Sequence, residues 1–75
     1  MNDTKKNLLK LVGARCKRFR LETGHTQKEV AKECGCHNTN VSAFERGEND
    51  SATLLLWYVL HGLTLHEVNE HGKRV

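Results

Sequence analysis

The stretch of sequence that decides the fold runs from residue 26 to residue 47 and reads TQKEVAKECGCHNTNVSAFERG. Thr26, followed three residues later by Glu29, forms a capping box, in which each side chain bonds the backbone N–H of the other residue and a helix begins. Gly35 can adopt the left-handed conformation that ends this helix, and Gly47 can end a second helix in the same way. The stretch therefore predicts two short helices joined by a tight turn.

The residues at the junction of these two helices narrow the prediction. Ala31 is small where the helices would cross, Gly35 stands at the turn and Val41 faces back into the junction. Together with Thr26-Gln27 and the ending Phe44-Glu45-Arg46-Gly47, they make the stretch closely resemble the helix-turn-helix of the Cro/repressor-type (XRE-like) family of bacterial and phage transcription regulators. The resemblance covers about residues 12–68. It implies an all-α, compact five-helix lambda-repressor-like DNA-binding domain, with the helix-turn-helix, about residues 26–46, formed by helices 2 and 3.

The remaining residues fit a single domain over residues 1–75, a length that allows one small core. An apolar stripe at helical spacing predicts helix 1 from about Thr4 to Glu22. Asp50 or Ser51 can cap a helix that runs to about Leu60. A last short helix is expected over residues 63–68, with a frayed tail over about residues 69–75.

Positive charge is concentrated in the first third of the chain. The net charge is +3, but residues 1–25 carry seven Lys or Arg against two acids, whereas residues 26–50 sum to −2. A basic first helix could attract DNA phosphates through counterion release, or it could be an ordinary solvated face. The adjoining pair of helices favours the DNA interpretation.

The start of the second helix of the pair is where the family reads base edges in the major groove. The resemblance places four residues of this chain there. Asn can bond adenine through two hydrogen bonds, Thr can bond a base or contact a thymine methyl, and Ala can contact that methyl. Since Asn and Thr also cap helices, base contact competes with a purely structural role. The expected base contacts are Asn38, Thr39, Asn40 and Ala43.

Phosphate contacts are expected around the same two helices. Gln27 matches the family's glutamine that bonds a phosphate beside a helix N-terminus, where free N–H groups favour anions. Glu45 matches a carboxylate that pairs with an arginine of helix 1, for which Arg20 or Lys17 is available, and we assign it to structure. The expected DNA backbone contacts are Gln27, Lys28, Ser42, Arg46, Asn49 and Arg15.

Residues 54–60, LLLWYVL, are apolar on every face of a helix. A helix here can bury Leu54, Trp57 and Tyr58, which leaves more apolar surface than a monomer usually exposes. A two-fold dimer would cover this surface and read two half-sites, although a fifth helix and the tail could also cover it. The expected dimer interface consists of Leu55, Leu56, Val59 and Leu60.

Other classes of function find little support in the sequence. No stretch reaches the ~20 apolar residues of a membrane span and no signal peptide is evident, so a cytoplasmic protein is expected. Cys34 and Cys36 lack zinc-site spacing, and Cys16, Cys34 and Cys36 are expected to pack in the core. No catalytic constellation is present, so we expect no enzyme, metal, cofactor or small-molecule substrate. The expected function is a sequence-specific DNA-binding transcriptional regulator, a repressor that binds an operator in double-stranded DNA as a homodimer. The alternative is a protein-binding helix-turn-helix module, such as an antirepressor or an antitoxin-like partner, without specific DNA binding.

Overall fold

The computed structural model describes residues 3–64, which form four α-helices and no strand. The first and longest helix precedes three short ones, and the second and third helices form the predicted helix-turn-helix. The bounds are α1 Asp3–Glu22, α2 Gln27–Cys34, α3 Asn38–Glu45 and α4 Ala52–Leu60. Of the predicted fifth helix, residues 65–68 lie outside the described residues, as does the whole of the predicted tail.

The residues that begin and end α2 act as the sequence predicts. The backbone N–H of Thr26 donates to Glu29 Oε1 over 2.7 Å, and the N–H of Glu29 donates to Thr26 Oγ1 over 3.0 Å. Gly35 ends the helix in the left-handed region with φ 71°. A side chain would strain the backbone at this positive φ, whereas Gly adopts it readily, so the chain turns over three residues and α3 begins at Asn38.

The caps of α3 and α4 differ in kind. His37 occupies the N-cap of α3 but its imidazole makes no capping hydrogen bond there. Ser51, one of the two predicted caps of α4, accepts a hydrogen bond from the N–H of Leu54 over 3.2 Å. The start of α3 therefore depends more on packing than on capping.

The core lies where the three short helices meet the middle of α1. Each helix contributes apolar residues from one of its faces, as amphipathic helices do. Val30 and Ala31 come from α2, and the buried set also includes Leu63 after α4. The other buried apolar residues are Cys16, Val41, Phe44, Leu54, Trp57 and Tyr58.

Gly13 marks the point where α1 crosses α3. A methyl group placed on Gly13 would lie 2.5 Å from the carbonyl oxygen of Phe44 and 2.7 Å from that of Glu45. One helical turn before Gly13, α1 also approaches the turn that follows α3. A methyl group on Gly47 would lie 2.7 Å from Cα of Lys10. These contacts join the N-terminal half of α1 to the end of α3 and to the turn that follows it.

Candidate nucleic-acid interface

Helix α3 packs against the protein with one face and leaves its N-terminal residues exposed. Val41, Phe44 and Glu45 are buried, with Val41 fully enclosed. The four expected base-contact residues divide into two groups: Asn38, Thr39 and Asn40 are exposed, and Ala43 is half-buried one turn further on. The N-terminal end of α3 therefore offers amide and hydroxyl groups to the outside of the molecule.

The buried end of α3 is fixed by hydrogen bonds to the carboxylate of Glu45. Arg20 donates from Nε to Oε2 over 2.7 Å and from Nη2 to Oε1 over 3.0 Å. Tyr58 of α4 donates its hydroxyl to Oε2 over 2.5 Å, and Gln27 of α2 donates Nε2 to Oε1 over 3.1 Å. One carboxylate therefore joins all four helices, and α3 is tied to α1, α2 and α4 at the same point.

The pKa values in this cluster follow from the hydrogen bonds. Burial by itself raises the pKa of Glu45, but the hydrogen bonds from Arg20, Tyr58 and Gln27 outweigh it and hold that pKa below 4.5. Burial, followed by the bond to Glu45, raises the pKa of the Tyr58 hydroxyl. The cluster therefore carries one guanidinium and one carboxylate, and the charges are matched. Arg20 was one of the two partners predicted for Glu45; Tyr58 was not predicted as one.

All but one of the expected phosphate contacts belong to α2, to α3 or to the turn after α3. Gln27 is half-buried and its amide nitrogen is already bonded to Glu45, whereas Lys28 is exposed. Asn49 donates from Nδ2 to the carbonyl oxygen of Asn40 over 3.4 Å, which ties the turn after α3 to the first turn of that helix.

Arg46 begins the turn after α3 and is exposed. Its Nε and Nη2 each donate to Glu48 over 3.0 Å, and its Nη1 donates to Ser42 Oγ over 2.5 Å. These bonds lower the pKa of Glu48 and extend the guanidinium along the outer face of α3. A phosphate at Arg46 would therefore compete with Glu48.

Arg15 lies on a different side of α1 from Gly13. Its Nη2 donates to the carbonyl oxygen of Thr64 over 3.2 Å, beyond the end of α4. Of the residues expected to contact the DNA backbone, it is the one that the structure places beside α4 rather than beside α3.

The four residues of the expected dimer interface do not share one environment. Leu55 is half-buried and packs against the core. Leu56, Val59 and Leu60 are exposed over 58%, 42% and 82% of their surfaces. As predicted, Leu54, Trp57 and Tyr58 form the buried face of the same helix.

A ring cluster joins α4 to α2 and was not predicted as a unit. His61 stacks on Trp57 with ring centroids 3.8 Å apart, and His25 meets Trp57 edge-on at 5.2 Å. Glu33 accepts a hydrogen bond from Trp57 Nε1 over 2.6 Å. The four residues come from three separate segments, so no local spacing in the sequence indicates the cluster.

The three cysteines are free thiols, as the expected packing role requires. Cys16 is fully enclosed, and burial raises the pKa of its thiol to about 12. Cys34 and Cys36 are half-buried against the core on either side of Gly35. Within residues 3–64 no group of three His, Cys, Asp or Glu side chains is arranged to hold a metal ion. None of the described helices is both long and apolar enough to cross a membrane.

Comparison with known families agrees with this geometry. The model of the family described as helix-turn-helix matches residues 17–57, from the second half of α1 to the buried face of α4. The match covers more than half of the chain, and the protein belongs to this XRE-type helix-turn-helix family of DNA-binding regulators. No curated protein matches the chain.

Proposed function

We propose that the protein is a sequence-specific repressor that binds an operator in double-stranded DNA as a homodimer. Helix α3 would enter the major groove, and occupancy of the operator would exclude RNA polymerase. The observation that carries this proposal is the asymmetry of α3, whose exposed N-terminal end bears Asn38, Thr39 and Asn40 while its C-terminal end is fixed at Glu45.

A helix with a fixed C-terminal end and an exposed N-terminal end is suited to contacting bases. A side chain that discriminates between bases must be held in position before it meets them, because a loosely held helix would lose entropy on binding. The bonds of Arg20, Tyr58 and Gln27 to Glu45 position α3 relative to the rest of the protein. Two exposed amides and a hydroxyl then provide the donors and acceptors that a bidentate contact with a base requires.

Phosphate contacts would set the register of α3 on the duplex. Gln27 and Lys28 stand at the start of α2, where free backbone N–H groups favour anions. Ser42, Arg46 and Asn49 follow the outer face and the end of α3, and Arg15 is a further candidate from α1. Such contacts position a protein on DNA without reading its sequence.

Dimerisation would follow from the exposed leucines and valine of α4. Leu56, Val59 and Leu60 lie within five residues and expose large apolar side chains. A two-fold interface through this helix would bury them and place two copies of α3 on half-sites about one helical turn apart.

A gel-shift and footprinting series tests the proposal. The probes are fragments of the DNA upstream of the protein's own gene, and a scrambled duplex is the control, each at increasing salt. The expected result is a protected site whose affinity exceeds that of the scrambled duplex at every salt concentration. No binding at low salt would contradict the proposal and favour the protein-binding alternative, and equal binding to every fragment would contradict sequence specificity.

A further inference from the structure

We propose that Lys10 and Lys17 of α1 contact DNA phosphates and extend the row of phosphate contacts beyond the helix-turn-helix. This inference rests on the proposed function, because it concerns the same DNA. It also names a side of α1 that the sequence did not distinguish. Both lysines are exposed.

The position of the two lysines follows from Gly13. Residues three or four apart lie on the same face of a helix, and Lys10 and Lys17 stand three before and four after Gly13. Gly13 abuts the carbonyl oxygens of Phe44 and Glu45. The lysines therefore flank the C-terminal end of α3, separated by about 10 Å along the axis of α1.

A contact of Lys10, and the position of Lys17 on α1, place each lysine near an expected phosphate ligand. The backbone and Cγ of Lys10 lie against Gly47, the residue after Arg46. Arg20, three residues after Lys17 on the same face, bonds Glu45, which also binds the amide of Gln27. The two lysines thus border the surface between Gln27 and Arg46.

The charge on this side of α1 is not cancelled by nearby acids. Of the two acids of α1, Asp3 lies about two helical turns before Lys10, and Glu22 is paired with Arg18. Around the end of α3, Glu45 is bonded by Arg20 and Glu48 by Arg46. Asp50, the remaining acid of the turn, lies 3.9 Å from Lys5. Surplus positive charge beside a row of phosphate ligands has DNA as its complementary partner.

The test compares two double variants of equal net charge. K10Q/K17Q removes the two lysines beside α3, and K5Q/R18Q removes two cations from other positions of the same helix, one of them adjacent to Lys17. The salt dependence of affinity is measured for each on the duplex that the wild-type protein protects, and thermal unfolding shows that both variants are folded. A Gln at position 10 retains the Cγ atom that contacts Gly47, so the packing there is preserved. A third variant, K10R/K17R, retains both positive charges.

We expect the affinity of K10Q/K17Q for DNA to depend less steeply on salt concentration than that of the wild-type protein, and the affinity of K5Q/R18Q to keep the wild-type dependence. Each lost phosphate contact lowers the slope of log K against log salt by about 0.9. A homodimer of the double variant lacks four such contacts, so the slope should fall by about 3.6, with K10R/K17R close to wild type. The preference for the operator over scrambled DNA should change little, since phosphate contacts carry no base information. Equal slopes for K10Q/K17Q and K5Q/R18Q would overturn the inference while leaving the proposed function intact; a wild-type protein that protects no duplex would overturn the proposed function itself.

Discussion

Arg20 and Glu45 form a buried, two-pronged ion pair, with Nε to Oε2 at 2.7 Å and Nη2 to Oε1 at 3.0 Å. The side chains are exposed over only 8% and 1% of their surfaces. Because both charged groups are shielded from water, each needs the other as its counter-ion, and the hydroxyl of Tyr58 stabilises the pair further. The Glu45 carboxylate therefore adds a polar anchor for α3 to the packing of Val41 and Phe44.

Replacing Glu45 by Gln should destabilise the protein and change its response to acid. Arg20 would keep a buried charge without its counter-ion, at a cost of about 3 kcal/mol at neutral pH. In the wild-type protein the pKa of Glu45 is lowered on folding, so its contribution is present above the ordinary value of 4.5 and is lost as pH falls below 4.5 through the folded pKa. Urea unfolding between pH 7 and pH 3 measures both effects.

The matched control is Glu22→Gln, which removes a carboxylate from the exposed pair with Arg18. That change should have little effect on stability, because exposed ion pairs contribute little. Parallel stability curves for wild type and E45Q below pH 4.5 would contradict the assigned role of Glu45.

Replacing Gly13 by Ala should destabilise the protein, although Ala is normally preferred within a helix. The added methyl group would meet the carbonyl oxygens of Phe44 and Glu45 at 2.5 and 2.7 Å, so α1 must move away from α3. Overpacking of this kind costs about 1–3 kcal/mol, against a gain of about 1 kcal/mol in helix propensity. Thermal unfolding of G13A, with the exposed neighbour A14G reporting the propensity effect alone, measures the balance. A G13A protein more stable than wild type would show that the crossing is looser than described.

These two sites show what the sequence can and cannot predict. The capping box of Thr26 and Glu29 and the turn at Gly35 were predicted and confirmed, because they depend on residues that are neighbours in the chain. The close approach at Gly13 and the third bond to Glu45 from Tyr58 were not predicted, because each requires the packing of helices far apart in sequence. For the same reason, the charge count showed that α1 is basic but not which of its lysines lie beside α3.

Replacing Glu48 by Gln should strengthen DNA binding. Glu48 holds the guanidinium of Arg46 through two hydrogen bonds of 3.0 Å and adds a negative charge beside an expected phosphate contact. Without that carboxylate, Arg46 can bond a phosphate without losing an ion pair, and affinity at low salt should rise roughly two- to fivefold. Gel-shift titration measures the effect. Glu22→Gln makes the same charge change on α1 and should raise affinity less; equal effects of the two variants would argue against a local role for Glu48.

Charged substitutions on the exposed face of α4 should prevent self-association while leaving the fold intact. Leu56 and Leu60 are exposed over 58% and 82% of their surfaces, so L56E/L60E adds charge without entering the core. If these residues form the dimer interface, burying two carboxylates there is costly and the protein should become monomeric. Sedimentation equilibrium measures the change. Leu21→Glu places a charge on an equally exposed leucine of α1 and should leave the dimer unaffected; a wild-type protein that is monomeric at high concentration would contradict the dimer proposal.

The central claim is that the exposed start of α3 reads DNA sequence, and the ratio of affinities for operator and scrambled duplex tests it most directly. The measurement compares wild type with Asn38→Ala, Thr39→Ala and the control T4A/N7A, which alters exposed polar residues of α1. If Asn38 and Thr39 contact bases, each substitution removes one contact per half-site and should lower the ratio by roughly 10-fold or more, while affinity for scrambled DNA and the control ratio stay near wild type. An unchanged ratio for both Asn38→Ala and Thr39→Ala would contradict the claim.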